Sequence, residues 1–256
     1  MADPASRSFG DIKRGLILGI IPARYASTRF PGKPLVDIAG KSMIRRVYEQ
    51  AKKCSKLAEV IVATDDERIF NHVKDFGGEV VMTSGGHPSG TDRCAEVAAK
   101  NPDYEVIINI QGDEPYIDPG QIGKVAGCFD VPGTQLATLI KQIHSTDELY
   151  NLATPKVIIN KNWEAIYFSR SPIPHARGQK PQHWLYHNTY FKHIGIYGYK
   201  SDVLQQITKL PVSSLEKAES LEQLRWIENG YRIKVAETDL ETFAVDIPED
   251  LERLKR

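Results

Sequence analysis

Apolar residues along this chain follow two different spacings. Short, nearly unbroken apolar runs at Leu16–Ile21, Glu59–Ala63, Glu79–Met82 and Glu105–Ile110 predict buried strands. Between them the spacing turns helical. Met43, Ile44, Val47, Tyr48 and Ala51 share one helix face and predict a helix over roughly 42–54. Further helices are predicted over about 66–76, closed by Gly77-Gly78, over 91–100, and from near Asp118-Pro119. Strands that alternate with helices imply an α/β fold with a parallel sheet and right-handed crossovers. Ligands in such sheets sit beyond the C-terminal strand ends. There the loops 22–34, 64–66, 83–90 and 111–117 collect charged residues and glycines.

The second half is less regular. Residues 134–143, 156–160, 164–168, 190–199 and about 231–236 read as strands. A proline-rich excursion, Ser171 to His183, interrupts them and reads as an insertion that extends the sheet, covers the site and offers an oligomer contact. One helix is predicted over 215–229, with Leu215, Ala218, Leu221, Leu224 and Ile227 facing the core, and a last one over 248–254. The expected organisation is a flexible tail over 1–14 and a single domain over 15–256, with a lid or dimerisation insertion around 165–215.

Lys plus Arg and Asp plus Glu both total 33, so there is no basic excess of the kind a nucleic-acid surface carries. No apolar run is long enough to span a bilayer, and the first fourteen residues hold no secretory apolar core. Cys54, Cys94 and Cys128 are an odd, scattered set, which argues for core packing in a reducing compartment.

The loop Ile20-Ile-Pro-Ala-Arg-Tyr-Ala-Ser-Thr-Arg-Phe-Pro-Gly-Lys-Pro34 follows the first strand. Arg24, Arg29 and Lys33 with the hydroxyls of Ser27 and Thr28 suit a polyphosphate, and Pro31 and Pro34 stiffen the loop. Asn109-Ile-Gln-Gly-Asp-Glu-Pro115 sets Gln111, Gly112 and Asp113 at another strand end. A carboxylate there suits a hard cation such as Mg2+, and the cationic loop on the same edge favours that reading over helix capping. Asp246, in Phe243-Ala-Val-Asp246, is either a second metal carboxylate or a cap for the helix after Pro248. Ser89, Gly90 and Thr91 either contact a base or ribose or cap the helix they precede. Arg170 suits a bidentate grip on a carboxylate or a surface ion pair, while His193 reads as a core histidine and Glu222 and Gln223 as solvated. Gly40-Lys41-Ser42 lacks the first glycine of a Walker loop, and no G-x-G-x-x-G follows a strand.

Taken in order, these segments resemble the 3-deoxy-D-manno-octulosonate (Kdo) cytidylyltransferase, or CMP-Kdo synthetase, family. The resemblance runs from about residue 16 to the C-terminus. It rests on the phosphate loop, Val62-Ala-Thr-Asp-Asp66, Ser89-Gly-Thr-Asp-Arg93, the Asn109–Pro115 segment, Tyr167-Phe-Ser-Arg170, His193-Ile-Gly-Ile-Tyr-Gly-Tyr199 and Leu221-Glu-Gln-Leu-Arg225. It implies a Rossmann-like, mostly parallel sheet flanked by helices, and a homodimer that joins CTP to Kdo, releases pyrophosphate and serves lipopolysaccharide assembly. It also implies that Arg24, Ser27, Arg29, Lys33, Ser89, Gln111 and Gly112 contact CTP. Asp113 and Asp246 are implied to hold Mg2+, and Arg170, His193, Tyr197, Glu222 and Gln223 to form the sugar pocket. Lys33, Arg29, Asp113 and Asp246 are the implied catalytic groups.

Overall fold

In the computed structural model the predicted alternation becomes a nine-stranded sheet. The structure describes residues 16–26, 29–241 and 243–254, so the segment 1–14 and Ser27 lie outside the described residues. The first half runs β1 (Ile17–Ala23), β2 (Asp37–Ile38), β3 (Lys41–Ser42), α1 (Met43–Ala51), β4 (Glu59–Thr64), α2 (Glu67–Asp75), β5 (Val80–Met82), α3 (Gly90–Ala99), β6 (Val106–Asn109) and α4 (Pro119–Gly127). Side-chain oxygens start the helices: Ser42, Asp66, Ser89 and Asp118 each accept a backbone N–H of the first turn of α1, α2, α3 and α4.

The second half holds β7 (Leu136–Gln142), α5 (Thr146–Tyr150), β8 (Lys156–Ile159), β9 (Ala165–Ser169), α6 (Trp184–His187), β10 (Phe191–Lys200), α7 (Ser201–Ile207), α8 (Ser214–Glu219), α9 (Gln223–Glu228), β11 (Ile233–Glu237) and α10 (Leu251–Leu254). The main strand order is β11-β7-β10-β6-β1-β4-β5, and β8 and β9 attach as a hairpin beside the start of β10. Every pairing along the main order is parallel except those of β10, which runs antiparallel to both β6 and β7.

Alternation along the strands fills both faces. Ile21 and Ala23 of β1 pack with Ile44, Val47, Ile69 and Val125 from α1, α2 and α4. Leu18 and Ile20 pack with Cys94, Leu204, Leu224 and Trp226 from α3, α7 and α9. Part of the proline-rich excursion closes a separate cluster, in which Trp184 and Tyr190 meet Ile143, Leu149 and Ala176.

The single helix predicted over 215–229 is two helices. Ser220 adopts a left-handed conformation, φ 51° and ψ 49°, and ends α8. Its surroundings hold it there. The Glu219 carboxylate accepts from Ser169 Oγ at 2.6 Å and Arg170 N at 2.9 Å. The Arg170 guanidinium donates to the carbonyls of Glu219 at 2.7 Å and Ser220 at 3.4 Å. Arg225 of α9 reaches back to Glu216 of α8 through two 2.6 Å contacts, with both side chains largely buried. Periodicity alone cannot show this break, because the apolar spacing continues through it.

Arg225→Ala leaves the Glu216 carboxylate without its fork. It should lower stability by about 3 kcal/mol, read as a fall in the urea midpoint with an unchanged m-value.

Candidate active site

The C-terminal sheet edge carries a cleft of about 410 Å³. Arg24, Arg29 and Lys33 line it from the β1 loop, Gly90 and Arg93 from the start of α3, and Gln111, Gly112 and Asp113 from the end of β6. The floor is tight. A Cβ on Gly112 would lie 2.9 Å from the Pro22 carbonyl oxygen, so the glycine lets the β6 loop pass against the end of β1. The close approach is thus to the protein's own backbone.

Two ion pairs stand at this cleft. Lys33 Nζ lies 2.7 Å from Asp113 Oδ2 and donates to the Val245 carbonyl at 2.8 Å. Arg29 lies 2.9 Å from Asp246 Oδ1. Val245 N donates to Asp113 O at 2.9 Å, so the C-terminal segment runs directly beside the β6 loop. Residues 133 positions apart in the chain (246 − 113) therefore reach one cleft with their loops in contact. The capping alternative for Asp246 does not hold. Asp250 takes that role, its Oδ2 accepting from Asp246 N at 2.9 Å and Ile247 N at 3.1 Å. The Asp246 side chain is left for Arg29.

Ser89 takes the capping role and adds a contact across to α9. Its Oγ caps α3 and also lies 3.2 Å from Glu222 Oε1. Thr91 Oγ1 donates to Glu222 Oε2 at 2.8 Å. Glu222 is therefore not solvated, and neither is Gln223, which is buried. The break at Ser220 brings Glu222 against the start of α3. Burial raises its pKa, opposed by the Thr91 hydrogen bond.

His193 and Tyr197 come from β10. That strand is antiparallel, so its early residues reach the edge where the parallel strands end; Tyr197 pairs with Asn109. A register shift between Ile194 and Tyr197 disturbs the ladder there. Gln111 Nε2 uses it, donating to the Gly195 carbonyl at 2.9 Å. Thr138 Oγ1 donates to the Ile196 carbonyl at 2.8 Å and lies 3.0 Å from His193 Nε2, which favours a proton on Nε2. The His193 ring stands 5.2 Å from the rings of both Phe168 and Tyr197, and burial pushes its pKa down to about 3. Burial also raises the Tyr197 and Tyr199 hydroxyls, and the Glu222 charge adds to both shifts.

Arg170 follows β9 and holds the α8–α9 break. Besides the α8 carbonyls it donates to Leu152 O at 3.1 Å. Lys156, fully buried, donates to Asn151 O at 2.9 Å and Thr154 O at 2.6 Å.

Arg93 is a cleft residue that the spacing of the sequence did not single out. It is buried, donates to Thr83 Oγ1, and lies 3.0 Å from Asp65 Oδ2. Its place in Ser89-Gly-Thr-Asp-Arg93, one helical turn past a glycine start, was the available signal.

A cationic loop, paired carboxylates and a glycine floor on one α/β sheet edge define a nucleotidyltransferase-type site. The profile of the cytidylyltransferase family matches residues 18–235. The 3-deoxy-manno-octulosonate cytidylyltransferase of Parabacteroides distasonis is 59% identical over 241 residues, covering 92% of this chain and 95% of that protein. The protein of the same name from Bacteroides thetaiotaomicron is 57% identical, covering 91% and 94%. A solved CMP:2-keto-3-deoxy-manno-octonic acid synthetase complexed with CTP superposes with a TM-score of 0.87 at 45% identity, covering 94% and 97%. A 4-diphosphocytidyl-2C-methyl-D-erythritol synthase from Anaerococcus prevotii shares the fold at a TM-score of 0.60 and 11% identity. The chain belongs to the cytidylyltransferase family, among its 3-deoxy-manno-octulosonate cytidylyltransferases.

Gly112→Ala should cost about 1–3 kcal/mol through the contact with Pro22 and weaken nucleotide binding, read by thermal melting and titration. His193 carries a pH signature. Its folded pKa, about 3, lies below its ordinary 6.5. Its contribution to stability is full above pH 6.5 and is lost as pH falls toward 3, because the unfolded chain takes up a proton that the folded ring refuses. His193→Gln should remove up to about 1.4 kcal/mol per pH unit of that slope. Denaturant titrations of both proteins from pH 7 to 4 check the difference.

Proposed function

We propose that the chain transfers the cytidylyl group of CTP to Kdo, giving CMP-Kdo and pyrophosphate for lipopolysaccharide assembly. The observation that carries this reading is the meeting of the Lys33–Asp113 and Arg29–Asp246 pairs at the cleft. Two cations and two carboxylates on adjoining loops match a triphosphate and its metal ion. The names of the similar proteins support cytosine and Kdo.

In this reading the triphosphate draws Arg29 and Lys33, with Arg24 and Ser27, onto its oxygens. That frees Asp113 and Asp246. Both are partly open to solvent, and their oxygens are the hard donors Mg2+ prefers. Among the described residues no third acidic, histidine or cysteine side chain joins them, so phosphate and water oxygens complete such a shell. Mg2+ held there supplies charge neutralisation and lowers the pKa of the attacking hydroxyl. Gln111, Gly112 and Ser89 fix the nucleotide's remainder. His193, Tyr197, Glu222 and Gln223 orient the sugar acid, and Arg170 steadies the turn that presents Glu222. The anomeric oxygen bonds to the α-phosphorus as the bond to pyrophosphate breaks. Lys33 and Arg29 meet the charge that grows on the leaving group.

We also infer a cytoplasmic homodimer. Three buried free cysteines suit a reducing compartment. Exposed Leu152, Ile166 and Tyr186, in and beside the 165–215 segment, supply apolar surface for a second copy. No helix among the described residues is long and apolar enough to cross a membrane.

Pyrophosphate release should require CTP and Kdo together, and equal turnover with ATP or GTP would overturn the cytosine assignment. Asp113→Asn and Asp246→Asn should both abolish turnover, but their stabilities should part. The Arg29–Asp246 pair is exposed, so its loss should cost under about 1 kcal/mol. Asp113→Asn leaves the largely buried Lys33 ammonium without its carboxylate and should lower the melting temperature clearly. An active Asp246→Asn enzyme would remove Asp246 from the chemistry.

A further inference from the structure

The Val62-Ala-Thr-Asp-Asp66 segment ends β4 and holds no group that the reaction above uses. Its two aspartates nevertheless face two arginines. Asp65 pairs with Arg93 of the cleft. Asp66 starts α2 and binds Arg68 through two contacts, Nε to Oδ1 at 2.9 Å and the terminal nitrogen to Oδ2 at 2.6 Å. This fork fixes the plane of the guanidinium. The Arg68 guanidinium carbon in turn lies 3.3 Å from the centroid of the Tyr25 ring, a stacked cation–π contact.

Tyr25 is the neck of the phosphate loop. Its carbonyl accepts from Gly32 N at 3.0 Å, which closes the loop on itself. Its ring lies against the Gly32 backbone, where a Cβ would meet Tyr25 Cζ at 3.1 Å, and Gly32 has φ +72°. Arg29 lies within the closed loop, and Lys33 is the first residue past it. The position of both phosphate-facing cations therefore depends on the neck, and the neck is clamped from α2.

We infer that Tyr25 and Arg68 are positioning residues for the triphosphate, forming with Asp66 a latch by which the β4–α2 turn holds the β1 phosphate loop closed. The inference rests on the reading of the cleft as a CTP site. The latch acts on the loop that meets the β- and γ-phosphates, so its loss should fall on the triphosphate. The base and the sugar pocket are held by other segments.

The test compares the unsubstituted chain with Arg68→Gln, Tyr25→Leu and Tyr25→Phe, using CTP and CMP as calorimetric probes. Arg68→Gln and Tyr25→Leu should weaken CTP binding about threefold to fivefold, the size of a solvent-exposed cation–π contact, and change CMP binding little. KM for CTP should rise and kcat should fall modestly, because Arg29 and Lys33 also meet the charge on the leaving group, while KM for the sugar holds. Tyr25→Phe keeps the ring and should bind as the unsubstituted chain does. Trypsin, added without ligand, should cut after Arg29 faster in the two disruptive variants. Equal losses for CTP and CMP, or unchanged CTP binding, would overturn the latch. If the unsubstituted chain binds neither nucleotide, the CTP reading fails by itself. The cleavage rates then decide the latch: faster cutting supports it and unchanged cutting overturns it.

Discussion

The ammonium of Lys33 ties together three parts of the chain at one point. It contacts the Asp113 carboxylate from the β6 loop and the Val245 carbonyl from the C-terminal segment, while its own backbone closes the loop after β1. Val245 is fully buried among Ile38 and Met43, so the segment it anchors is fixed in depth as well as direction. The largely buried Lys33 ammonium holds the Asp113 carboxylate in place. In the proposed reaction the same carboxylate would pass to a metal ion when a phosphate engages the lysine, so one contact would serve the free protein as a structural tie and the loaded protein as a position for exchange.

The second constraint is topological. A parallel sheet offers only carboxyl ends at its binding edge, and these bear loops. By running β10 against its neighbours, the chain adds a strand whose early residues sit at that edge within regular structure. His193 and Tyr197 are thus placed from a strand, while Arg29, Lys33 and Asp113 are placed from loops. The register shift at Gly195 then frees the carbonyl that fixes Gln111, so an irregularity in one strand orders the functional end of the next.

Much of this was legible in the sequence and some was not, for separable reasons. The strands and helices of the first half follow burial periodicity, which is local, and they formed near the expected positions. Lys33 and Asp113 were expected at one edge from residue type and loop position, the family resemblance added Asp246, and the structure brings their loops together. The break at Ser220 was hidden because Leu215, Leu221, Leu224 and Ile227 keep an apolar rhythm across it. What breaks the helix is Arg170, far away in the chain. The short helices α5, α6 and α7 span too few residues for a period to declare itself. Glu222 and Gln223 read as solvated because a polar residue beside an apolar face normally is. Their burial depends on α3 lying opposite, which only the tertiary fold supplies. Arg93 read as one more charge, and its depth comes from Asp65 and Thr83 on neighbouring loops.

The buried polar cluster around Glu222 has an energetic consequence of its own. The Gln223 amide nitrogen is buried and completes no hydrogen bond among the described residues, and the buried hydroxyls of Tyr197 and Tyr199 meet only imperfect partners, Thr138 for the first and Thr91 and Asn109 for the second. A buried group left unpaired costs roughly 1–3 kcal/mol relative to a paired one. A fold selected for stability alone would replace them with phenylalanine or leucine. Trp226 stands edge-on to both tyrosine rings, at 5.1 and 5.7 Å, and holds them where they are. Polar groups kept poorly paired by rigid aromatic packing favour a ligand dense in hydroxyls, because such a ligand offsets the cost that an apolar or deoxygenated competitor leaves in place. Discrimination by this route is steep, since a missing hydroxyl leaves a buried partner unpaired. In the proposed reaction a polyhydroxy sugar acid would offset the cost that these buried polar groups impose on the free protein.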